Sequence, residues 1–186
     1  MKSRKRLGFL AIVTLLAAGY MVVSPVARAT DPSPGDSEEV AQLLSDAKVE
    51  AIELEHDAMA METFTYNKVS WETHATQLSL ITEHVNQIGK LLAKLDAARE
   101  TASTWQQKAI DQIEPLLKQL AANTSAAIEH LKNTKNVHQA NEYKSYLKAN
   151  SKAAENLATL IGDFIEYDET EDKLAALNQK LAIAQN

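Results

Sequence analysis

Cysteine is absent from this chain. That excludes a disulfide framework, a lipid-carrying N-terminal cysteine and the C-x-x-C-H attachment of c-type haem, and it leaves burial as the source of stability. Glycine and proline are almost as scarce: beyond residue 36 only Gly89, Pro115 and Gly162 occur. Strand-like alternation bounded by turns is missing too, so the composition, rich in Ala, Leu, Gln, Lys and Glu, is that of long helices. Absent motifs narrow the chemistry. Without H-E-x-x-H, G-x-S-x-G or a glycine loop able to cradle phosphate, metalloprotease, hydrolase and nucleotide-binding readings have no support.

Basic residues are also few once the N-terminus is set aside. Residues 1–29 hold Lys2, Arg4, Lys5, Arg6 and Arg28, an apolar run from Leu7 to Val23, then Pro25 and the small pair Ala27 and Ala29. This is the order of a secretory signal with an A-x-A cleavage site, and it predicts a periplasmic or secreted protein. The apolar run falls just short of the roughly 20 residues that span a bilayer, which leaves an uncleaved anchor as the alternative. After cleavage, 14 Lys and Arg stand against 25 Asp and Glu, a net charge of −11. So acidic a surface repels phosphate backbones and anionic headgroups, so neither nucleic acid nor stable membrane insertion is expected. Residues 30–36 (TDPSPGD) read as a linker, and 37–186 as one helical domain.

Four apolar seams with spacings of three and four lie in that domain. The first, over 37–67, runs Val40, Leu44, Ala47, Ala51, Leu54, Ala58, Met61, Thr65, with Asp36 and Glu39 as a capping box. A second, over 70–100, runs Trp71, His74, Leu78, Ile81, Val85, Ile88, Leu92, Leu95 behind a Ser70 cap. Its phase does not continue the first, which places an otherwise unmarked turn at Asn67 to Ser70. The third, over 104–134, opens on a Ser103–Gln106 capping box and follows Ile110, Ile113, Leu117, Leu120, Thr124, Ala127, Leu131. Pro115 interrupts it and predicts a kink or a late start. A polar turn at Asn133 to Asn136 precedes the fourth, over 137–167, with Tyr143, Leu147, Asn150, Ala154, Leu157, Ile161 and Phe164. Near-equal lengths and short joints predict an all-α, antiparallel up-down-up-down four-helix bundle. Leu174, Leu177, Leu181 and Ala184 form a small seam over 171–185, one residue out of phase with the helix before it. That short C-terminal helical extension is expected to fray or bend away near Asp168, and either to fold back as a fifth helix or to reach a partner.

In such a bundle the end of helix one, the start of helix two, the end of helix three and the start of helix four share one end. His56, His74, His130 and His138 fall there with Met59 and Met61. Imidazole and thioether can ligate copper, zinc or haem iron, so His74, Met61, His130 and His138 are the candidate metal ligands. Only His74 and Met61 lie on seams. The general layout resembles that of exported b-type cytochrome bundles, but no ligand pair matches theirs. Glu53 and His56 make a single E-x-x-H, where carboxylate-bridged di-iron bundles need two plus further inward Glu.

Aromatics make up only 5% of the chain. Trp71 and Trp105 stand at opposite bundle ends, while the middle is Leu, Ile, Val and Ala, a pattern that predicts a closed core without a central cavity. Asn150 and Thr124, polar on the seams, are expected to fix helix register. The sequence thus predicts a non-enzymatic structural, adaptor or sensor-like module with no cofactor, acting on a protein partner or on a second copy through the tail. A metal- or haem-binding bundle is the alternative.

Overall fold

A computed structural model describes residues 35–67, 69–133 and 140–184. The expected export signal at 1–29, the expected linker up to residue 34, most of the expected polar turn before α4 and His138 lie outside them. The described residues form four helices, α1 (Glu38–Thr63), α2 (Trp71–Ala97), α3 (Thr104–Asn133) and α4 (Asn141–Ala184), with a 3-10 turn at Arg99–Thr101 before α3. α1 packs on α2 and α4, and α3 packs on the same two helices, so consecutive helices are neighbours around a ring. This is an all-α four-helix bundle.

The seams form its axis. On α2, α3 and α4 each position from His74 to Leu95, Ile110 to Leu131 and Tyr143 to Ile161 named above is buried, as are Val40 to Met61 on α1. A fully buried Leu or Ile contributes about 1.5–3 kcal/mol, so stacked aliphatic layers carry the stability in the absence of covalent bridges. Alanines at 47, 51 and 58 let the partners of α1 approach closely. Inside the core, Asn150 donates through Nδ2 to Thr124 Oγ1 at 2.9 Å, a buried polar pair that fixes α3 against α4.

Helix ends differ from expectation in instructive ways. Ser37, not Asp36, caps α1: its Oγ accepts from the Val40 amide at 3.4 Å. Asp36 instead accepts from the Trp105 indole, which ties α1 to α3. Gln106 is fully buried, and its side chain accepts from the amides of Ser103 and Ser37 and donates to the Ser37 carbonyl, each at 3.0 Å. One glutamine thereby holds two helix starts together. Ser70 caps α2, accepting from Thr73 at 3.3 Å, while α1 stops at Thr63, before the expected turn. Pro115 neither ends nor delays α3. It stands on the exposed face beside exposed Asp111, whose carbonyl loses its helical partner but can turn to water.

The largest departure is α4. No break occurs at Asp168, and the segment expected as a separate tail helix is the continuation of one 44-residue helix. Nothing in 163–184 breaks a helix, and Lys173 reaches Glu169 one turn back at 3.3 Å. The one-residue phase shift read as a boundary is a rotation of the apolar stripe by about 100° around an unbroken helix. At 1.5 Å per residue α4 is about 66 Å long against about 39 Å for the 26-residue α1. Every residue from 169 through 182 is exposed.

Candidate functional site

The end where α1 stops and α2 starts gathers three of the candidate ligands into packing. His74, set in the first turn of α2 by the Ser70 cap, is buried and shares a 3.0 Å hydrogen bond between Nδ1 and the Tyr143 hydroxyl. Phe64 meets its ring edge-on, with centroids 5.6 Å apart and planes at 74°. His130 stacks on Tyr143 at 6.0 Å and 22°. Met61 is buried at the end of α1. Burial pushes the Tyr143 hydroxyl well above the ordinary tyrosine range, so it remains a neutral hydrogen-bonding group. The tyrosine, absent from the candidate ligands, is the centre of the cluster: its ring lies against both imidazoles. Arranged this way, the residues make a polar plug in an apolar bundle end.

His138 lies outside the described residues, and the other residues singled out on α1 point outward. His56 is 81% exposed, with Nδ1 3.7 Å from Asp57, and Glu53 and Met59 are exposed as well. The E-x-x-H pair therefore lies on the solvent face of α1. His84, which lies off every seam in the sequence, links α2 to α1: its Nδ1 lies 2.9 Å from Glu50 Oε2 and its Nε2 3.5 Å from Asp57 Oδ2. Glu50 and Asp57 are seven residues apart, two turns along one edge of α1, and that spacing was the available signal.

Grooves of about 330 to 630 Å³ run along the surface between helices, and their linings among the described residues are other than His74, Met61 and His130. One lies between α2 and α3, where Trp71, expected on the core seam, is half exposed and donates to the Leu131 carbonyl at 3.0 Å. First position in its helix puts the indole over the groove rather than in the core.

The opposite end is where apolar surface collects. Trp105 stacks on Phe164 at 6.4 Å and meets Tyr167 at 6.1 Å and 60°, beside a groove of about 460 Å³. Here α4 leaves the bundle. Burial, reinforced by the charges of Asp36, Asp172 and Glu169, holds the Asp168 carboxyl above the ordinary carboxylate range. Beyond it Leu174, Leu177 and Leu181 are 51%, 55% and 61% exposed. The sequence drew attention to the histidine-rich end; the open apolar stripe is on the helix that leaves the other one. No described helix is long and apolar enough to cross a membrane. Comparison with protein-family models, with curated proteins and with solved structures returned no match.

Proposed function

We propose that this protein is a non-enzymatic, exported adaptor whose bundle is a rigid base and whose α4 extension is the contact surface. The observation that carries the reading is the run of three leucines, each more than half exposed, on a helix that has left its bundle. Large aliphatic side chains at regular spacing on one exposed stripe favour a protein partner. The candidate ligands support the same reading from the other side, because His74 and His130 pack on Tyr143 and Met61 is buried in the core. Export rests on the basic, apolar and small-residue order of residues 1–29.

A photo-crosslinking residue at position 177 of the full chain, in producing cells, tests the docking role. Discrete protein adducts are expected, and they should vanish when Leu174 and Leu181 are both changed to Lys. Absence of adducts at 177, or adducts indifferent to those changes, would overturn the proposal.

A further inference from the structure

The exposed stripe has the spacing of a coiled-coil seam. Tyr167, Thr170, Leu174, Leu177, Leu181 and Ala184 follow one another at intervals of three, four, three, four and three along α4. A strict repeat averaging 3.5 residues is what a second helix of the same kind packs against, with each knob entering a hole opposite. Its first residue, Tyr167, belongs to the aromatic group of Trp105 and Phe164, so the stripe begins at the bundle end and runs without interruption along the extension.

Charge along the extension is divided in two. Its root, residues 166–172, holds Glu166, Asp168, Glu169, Glu171 and Asp172 with no basic residue. The outer part, 173–184, holds Lys173 and Lys180 with no acidic one. Two extensions side by side in the same direction would set five carboxylates against five. Reversing one of them sets Lys180 of each chain opposite Glu171 in the other's acidic root, and it also opposes the two helix dipoles.

We propose that the occupant of the stripe is a second copy of this chain, paired antiparallel through α4 with Leu174 of each protomer opposite Leu177 of its partner. The inference rests on the adaptor reading above and names its partner. The resulting dimer is a rod with one bundle at each end, both Tyr143 clusters pointing outward, and the two aromatic bundle ends facing the joint. Lys173, Leu174, Leu177, Lys180 and Leu181 are all exposed, so their replacement leaves the bundle intact.

Sedimentation velocity of the full chain, from a few micromolar to a few hundred micromolar, reads the association. The mass should pass from one copy to two with concentration, whereas L174K/L181K and K173E/K180E should both remain single. The lysine variant keeps every leucine, so its failure to associate isolates the charge argument. Orientation is read by a spin label at exposed position 156 through Asn156→Cys, the only thiol in the chain. Antiparallel pairing about the midpoint of 174 and 177 sets the two labels about 58 Å apart, and parallel pairing sets them within about 30 Å. A chain that stays single at all concentrations, a K173E/K180E variant that still pairs, or a short label distance would each overturn the inference. A single chain that nevertheless gives foreign adducts at position 177 would remove self-pairing and leave the adaptor reading standing.

Discussion

Tyr143 shows how a single residue sets the character of its bundle end. Its ring lies against the imidazoles of His74 and His130 and its hydroxyl is hydrogen bonded to His74, so a buried histidine and a half-buried one, both candidate ligands in the sequence, pack on one tyrosine in the fold. The hydroxyl is held above its ordinary range by burial, and unfolding returns it to about 10. Between those two values the unfolded chain has lost a proton that the folded chain keeps. Stability from this group is therefore complete below about pH 10 and falls as the pH rises further. Replacing Tyr143 with Phe should cost about 1–2 kcal/mol near neutrality through the lost bond to His74, and should flatten the alkaline decline. Urea midpoints of both proteins at pH 8 and pH 11 check this, and an equal decline in the two would contradict it. The seam position of His74 was legible in the sequence. Its tyrosine partner was not, because pairing between residues 69 apart depends on which helices become neighbours.

At the level of elements, hydrophobic period was enough to find α1, α2, α3 and the first half of α4, since each seam faces one core and keeps one phase. It misread the second half of α4. A slipped phase in sequence has two structural meanings, a new element or a rotated stripe on the same one, and periodicity alone does not separate them. Helix propensity did hold the answer, as 163–184 contains neither glycine nor proline. Cap chemistry was also only half legible: Asp36 and Ser37 are both good caps, and the choice fell to Ser37 because Trp105 takes Asp36. Continuity of α4 makes a prediction at Gly162, inside the helix. A methyl group there would meet only Lys48 Cε at 3.8 Å, an ordinary contact. Gly162→Ala should raise stability by about 0.5–1 kcal/mol, measured by denaturant unfolding, and a loss of stability would contradict helical backbone at that point.

For the molecule as a whole, α4 combines two parts of different stability within one helix. Up to Ile161, α4 is a bundle member with buried Leu147, Leu157 and Ile161; past Tyr167 it continues on backbone hydrogen bonds and surface pairs such as Lys173 with Glu169. A helix without a packed face is marginal on its own, and this one persists because the bundle supplies its nucleus. Self-pairing would then stiffen the extension at high concentration. The central claim is that the α4 extension projects bare from a closed core, and amide hydrogen exchange on the dilute full chain tests it most directly. Strong protection is expected around Leu44, Ile81, Leu120 and Leu157, with exchange faster by orders of magnitude over 170–184. Protection over 170–184 equal to that of the core at dilution would show the extension to be packed within its own chain, and would contradict the account.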